Sequence, residues 1–284
     1  MKRGHHSDYA PDITDRCERA LVTLIGDIGP WRERVVLVGG LAPLYIVGSL
    51  PLGAPPHAGT TDVDLVVGLA VDDASETYET LYRNLKDSGF ESASPSYQWF
   101  RFVDGRRVEV EFLCETDRVE AGRIYRPKKG TGSGFSAFNV RGASLVARDF
   151  IEAKAVQPRL DYGGVSTVTI RVAGLLSYVV LKVLAFQDRH RNKDAYDLVY
   201  TLMNFPEGGP ANAGRTASGS PVRNEPLVAD ALNLLSERFS SPGNDGPSAY
   251  SNFLAEADDL DGTARLRNEA VAAVTQFLAA ARAS

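Results

Sequence analysis

The chain has 284 residues, a formal net charge of -5 and 44% hydrophobic content, enough to bury the core of one large or two modest domains. Its 31 Lys and Arg residues against 36 Asp and Glu exclude a generally basic surface, so a nucleic-acid partner would have to be held by local patches. The two cysteines, Cys17 and Cys114, stand far apart without metal-ligand spacing, which excludes a disulfide framework and structural zinc and fits a reducing cytoplasm.

The basic start, Met1-Lys2-Arg3-Gly4-His5-His6, has no apolar run behind it and is not a secretory signal, so His5 and His6 are expected in a mobile tail. An amphipathic helix is expected over 15–28, with Ala20, Leu21, Leu24 and Ile25 on one stripe. Residues 35–38 read as a strand that ends at Gly39-Gly40 and leads into a helix over 41–47, with Pro43 in its first turn. The uncharged stretch 35–56 is long enough to cross a bilayer. Gly39, Gly40, Pro43, Gly48, Pro51 and Gly53 interrupt it, however, and no membrane association is expected.

A Pro/Gly-rich loop over 49–59 delivers the chain into a strand over 62–67, and a helix follows over 74–88, closed by Gly89. Segments 97–103 and 107–114 read as a hairpin turning at Asp104-Gly105. Residues 116–138 read as loop with Lys128-Lys129-Gly130-Thr131-Gly132 at its tip. A strand over 167–172 precedes helices over 173–187, 192–204, 225–238 and 263–281. The Gly/Pro/Ser/Asn-rich segments 206–222 and 240–248 are expected to be mobile loops. The fold class is therefore α/β (α+β): a mixed sheet with flanking helices over 1–164, then a mainly helical domain over 165–284.

Two carboxylates one residue apart on a strand point to the same side, so Asp62 and Asp64 should converge. Among Val63, Leu65, Val66 and Val67 they would repel each other and lose hydration unless a cation lay between them, and Mg2+ suits a few carboxylates plus phosphate oxygens. Glu109 and Glu111 repeat the spacing on the second hairpin strand and offer a third carboxylate, either as a metal ligand or to help deprotonate a hydroxyl nucleophile. Gly39 and Gly40, between strand and helix, expose backbone N–H groups with no side chain in the way, as phosphate binding requires. Thr60 or Thr61 could add a hydroxyl for a triphosphate, or simply hydrogen-bond at the strand edge.

In the helical half, Lys182 sits within the apolar run 175–186 and must either reach the surface or meet an anion. Asp194 and Asp197 share a helix face beyond it. Lys193 can pair with Asp197 at i,i+4 and Asn192 can cap the helix, which leaves Asp194 without a local partner and makes it the stronger functional candidate. Arg126-Pro127-Lys128-Lys129 and Arg189-His190-Arg191-Asn192-Lys193 are the candidate basic patches.

Gly39-Gly40, Thr60-x-Asp62-x-Asp64-Leu65, Lys182 and Lys193-Asp194-x-x-Asp197, in that order over residues 35–203, resemble the AbiEii/AbiGii-type nucleotidyltransferases of the DNA polymerase beta-like superfamily. The chain departs from many relatives at Ala58, where they carry arginine. The resemblance implies a nucleotidyltransferase core, an NTP co-substrate with Mg2+, and transfer of a nucleoside monophosphate to a hydroxyl, with the tRNA 3′ end as first acceptor. It further implies a cytoplasmic toxin with an antitoxin protein as partner. On this expectation Asp62 and Asp64 hold metal with Glu109 or Glu111, of which Glu111 is favoured. Lys182 contacts the triphosphate and Asp194 completes the site. Transfer to a small aminoglycoside-like acceptor is the enzymatic alternative, and a non-catalytic nucleotide-binding module the third.

Overall fold

A computed structural model describes residues 4–9, 11–68, 75–127, 134–158, 160, 163–256 and 259–283. The chain divides into two compact units, one built from Pro11–Ala42 and Gly59–Ala173, the other from Met1–Ala10, Pro43–Ala58 and Gly174–Ser284.

The first unit is a mixed sheet with helices. Its elements are α1 (Pro11–Asp27), β1 (Val35–Val38), β2 (Asp62–Val67), α3 (Ser75–Asp87), β3 (Glu91–Ser92), β4 (Gln98–Val103), β5 (Arg106–Cys114), β6 (Ile124–Tyr125), β7 (Ala137–Asn139), β8 (Phe150–Pro158) and β9 (Val165–Ala173); α2 (Ala42–Val47) straddles the division between units. The strands run in the order β3-β4-β5-β2-β1-β9-β8, with β7 beside β5 and β6 beside β7. β2 runs parallel to β5 and antiparallel to β1, and β9 is parallel to β1. Apolar alternation drives the burial: Val63, Leu65 and Val67 of β2, with Val108, Val110 and Phe112 of β5, lie in the core, as do Ala20, Leu21, Leu24 and Ile25 of α1. The β4–β5 turn is made by Asp104 and Gly105, both at positive φ (48° and 71°), the geometry a two-residue Asp-Gly hairpin demands.

The domain break expected at 164/165 falls inside this sheet. β9 pairs along its whole length with β8 and joins β1, so it belongs to the α/β unit. β8 was not expected from the sequence; it lies at the edge of the sheet, where only Ala155 of its nine residues is buried, although Ile151, Ala153 and Ala155 alternate with Glu152 and Lys154. The short β6 and β7 likewise lie inside the stretch expected to be loop. Residues 128–132, expected at the loop tip and forming half of one basic patch, lie outside the described residues, as does Ala74.

The second unit holds α4 (Leu175–Arg189), α5 (Asn192–Met203), α6 (Gly209–Ser218), α7 (Pro226–Arg238), α8 (Asp245–Leu254) and α9 (Leu260–Arg282). α6 and α8 form where mobile loops were expected. Small residues that lower local helix propensity here let helices approach closely: a Cβ on Gly214 would lie 2.4 Å from the carbonyl oxygen of Phe277 in α9, and one on Gly246 would lie 2.5 Å from the Phe239 ring. Tertiary packing overrides propensity at both. His5 and His6 are not a mobile tail either. They enter a short 3-10 turn in which ring nitrogens meet the carbonyl oxygens of Ala255 (3.1 Å) and Phe253 (3.3 Å) at the end of α8. No helix among the described residues is long and apolar enough to cross a membrane.

Candidate functional site

β2 and β5 bring the four candidate acids onto one sheet face. Their parallel register sets Asp62 beside Glu109 and Asp64 beside Glu111, and all four are half-buried while the residues between them are buried. Same-face neighbours on adjacent strands stand about 5 Å apart, so this is a two-by-two patch of like charge that mutual repulsion disfavours unless other groups intervene.

Those groups are visible. Thr60 donates its hydroxyl to Oδ1 of Asp62 at 2.8 Å, which assigns it to orienting the acid. Its own backbone N–H donates to Oγ1 of Thr14 at 3.2 Å. Gln98 donates to Oε1 of Glu111 at 2.7 Å, and Arg107 reaches Glu109 at 3.0 Å. Thr61 is half-buried beside Asp62. At the end of β1, Gly39 adopts φ +68°, and a Cβ there would lie 1.8 Å from Oδ2 of Asp64. The carboxylate of Asp64 thus occupies the volume that any side chain at position 39 would fill. Gly40 is buried behind it in the 3-10 turn Gly39–Leu41, which continues into the six-residue α2.

The sequence reading missed Tyr97. Its phenol is pushed above the usual tyrosine range by burial first and then by the negative charge of Glu111, Asp64 and Glu109, which places it in the field of three of the candidate acids and keeps it protonated. Its ring packs on Phe138 at 5.1 Å. Nothing in its local pattern sets it apart from any aromatic that opens a strand.

All the candidate ligands are carboxylate oxygens, the donor type Mg2+ prefers. Among the described residues no group of three or more His, Cys, Asp and Glu side chains gathers as a ready-made metal set. Asp62 and Asp64, one residue apart on the same face of β2, are a pair of carboxylates whose chemistry fits such a cation.

Lys182 and Asp194 lie together in the helical unit. Lys182, 6% exposed, donates to Oδ2 of Asp197 at 2.6 Å and Oδ1 of Asp194 at 3.4 Å. Asp194 is not the unpartnered acid expected: Arg189, from the end of α4, grips both its oxygens at 2.7 Å. Asp197 also receives Lys193 at 2.7 Å, the i,i+4 pair the spacing indicated, and meets His57 Nε2 at 2.9 Å. Arg191 takes the N-cap position of α5, with no side-chain cap bond, so Asn192 does not cap it. Burial alone would raise both acids, but Lys182 with Arg189, or with Lys193, outweighs it and holds both below the usual carboxylate range. Burial pushes His57 below its ordinary value, only partly offset by Asp197. The His57 ring stacks on Tyr196 at 5.1 Å, Tyr196 accepts the Ala58 N–H at 2.8 Å, and Tyr200 donates to Pro55 O at 3.1 Å. These contacts fasten residues 55–58 to α5. Arg189 and Lys193 of the second basic patch are therefore engaged with acids of their own unit.

No protein-family model matches the chain, and no curated protein sequence matches it.

Proposed function

We propose that the chain is a magnesium-dependent nucleotidyltransferase of the AbiEii/AbiGii kind, moving a nucleoside monophosphate from an NTP to a hydroxyl at the tRNA 3′ end, as a cytoplasmic toxin restrained by an antitoxin. The observation that carries the chemistry is the register of Asp62 and Asp64 with Glu109 and Glu111, together with the side-chain-free position at Gly39 into which Asp64 projects. Asp62 and Asp64 would hold magnesium, which when bound supplies charge stabilisation at the transferred phosphoryl group. Thr60 fixes the rotamer of Asp62. Glu111, its Oε1 oriented by Gln98, takes the proton of the attacking hydroxyl, and Gly39 leaves the room beside the backbone that the Asp64 carboxylate fills. Tyr97 stays protonated and offers its O–H as a donor within the same acidic field.

The test is incubation with total RNA, Mg2+ and each radiolabelled NTP in turn, for wild type and Asp64→Asn. Label on RNA, reduced at least about 100-fold by Asp64→Asn with unchanged thermal unfolding, is the expected result. Label on a small hydroxylated acceptor would move the proposal to an aminoglycoside-type transferase. Saturable NTP binding without pyrophosphate release would make the chain a nucleotide-binding module. Wild-type turnover by Asp64→Asn sinks the metal assignment.

A further inference from the structure

β8 is the last strand of the sheet, and among the described residues its only ladder is with β9. Along its other side, N–H and C=O groups of alternate residues point outward with no strand to meet them. The two faces of β8 differ. Odd-numbered side chains turn toward α1: Ala155 is buried, and Gln157 donates to Oε2 of Glu18 at 2.7 Å. The even-numbered Glu152, Lys154 and Val156 are exposed on the opposite face, with Phe150 half-buried beside them. Lys154 stands across from Thr169 and has no carboxylate partner among the described residues. Glu152 stands across from Arg171, whose Nε approaches Oε1 at 3.5 Å, yet its side chain is still 58% exposed and its second oxygen can accept.

We propose that this edge is a self-association surface, on which β8 of a second copy of the chain pairs antiparallel with β8 about a two-fold axis through Ala153. Such an axis, normal to the sheet, keeps each face on its own side and must therefore pass through a residue, so the registers can be compared one by one. Through Ala153, Glu152 lies opposite the second copy's Lys154 and Lys154 opposite its Glu152, with Phe150 against Val156 and Ile151 against Ala155 beyond them. An axis through Lys154 sets lysine against lysine, and one through Glu152 sets glutamate against glutamate. Axes through Ile151 or Ala155 set Glu152 against Phe150 or Pro158. Of these five registers only the one centred on Ala153 matches opposite charges. There the second copy's ammonium approaches Glu152 from the side away from Arg171, so the existing pair is extended. Charges on an edge strand discourage pairing with strands at large, and the same two charges select a second copy in one register.

Sedimentation equilibrium of the full chain from micromolar to millimolar concentration tests this. Wild type should dimerise. Glu152→Lys and Lys154→Glu each set like charges opposite one another in both cross-strand pairs and should weaken the dimer about 5- to 100-fold, with thermal unfolding unchanged. Both changes in one chain should restore it, and a mixture of the two single variants should form a heterodimer. Glu152→Gln, which keeps the shape of the side chain, should weaken the dimer by less than the reversal. Ala153→Cys puts two thiols across the axis at a Cα separation of about 4.5 to 5.5 Å, within disulfide reach, and should cross-link on mild oxidation. Val156→Cys, opposite Phe150, should not, and the native Cys17 and Cys114 are buried. A wild type that stays monomeric through the millimolar range overturns the proposal. So does a dimer indifferent to both charge reversals, or one that cross-links equally through positions 153 and 156.

Discussion

In the helical unit the ammonium of Lys182 lies 2.6 Å from Asp197 and 3.4 Å from Asp194, so one buried cation on α4 is answered by two acids on α5. Arg189, Lys193 and His57 complete the set, so three cationic side chains and an imidazole surround the two acids. Without Lys182, Asp194 keeps Arg189 and Asp197 keeps Lys193 and His57, but each buried acid loses one charged hydrogen-bond donor.

Lys182→Met is therefore expected to destabilise the protein by about 1.5 to 3 kcal/mol, read as a lower midpoint in urea unfolding. A loss under about 1 kcal/mol would mean that the ion pairs are as cheap as surface ones.

His57 gives stability a pH dependence whose sign follows from its burial. Its folded pKa lies below the ordinary 6.5, so the unfolded chain binds the proton first as pH falls. Its contribution is complete above pH 6.5 and declines as pH drops from there through the depressed value, whereas Asp194 and Asp197 lose theirs only below 3.8. Urea midpoints measured from about pH 7 down to about pH 5 should fall for wild type and stay flatter for His57→Asn. Parallel slopes in the two proteins would contradict this.

Gly39 and Gly48 offer a controlled comparison, since both have positive φ (68° and 63°) but only Gly39 faces a side chain, Asp64, where a Cβ would sit. Alanine at Gly48 should cost about 1 kcal/mol from backbone strain alone. Alanine at Gly39 should cost more and also abolish label transfer by displacing the carboxylate. Matching thermal shifts and full activity in both variants would show that Asp64 does not depend on the vacant position.

In α6, Gly214→Val should lower the urea midpoint by at least about 2 kcal/mol equivalent, because its Cβ position is 2.4 Å from backbone in α9. The same change at the open Gly243 should leave the midpoint within about 0.5 kcal/mol. An unchanged midpoint for Gly214→Val would mean that α6 and α9 do not pack this closely.

Much of this was legible in the sequence, because period-two alternation and Asp-Gly turn chemistry are local. They located β1, β2, the β4–β5 hairpin and the shared face of Asp62 and Asp64. The i,i+4 rule found Lys193 with Asp197 for the same reason. Tyr97, Gln98 and His57 gave no such signal, since each takes its meaning from a partner on another strand or helix.

The amino-acid order by itself determined which side of each strand or helix a residue occupies, because backbone geometry fixes that within a few positions. Only the tertiary structure decided that β2 lies parallel to β5 with the acids in register, that β9 joins the sheet, and that glycine-rich segments become α6 and α8. It also decided that Asp194 meets Arg189 and Lys182. These outcomes depend on distant segments packing and exchanging charge with one another, and no local pattern specifies such pairings.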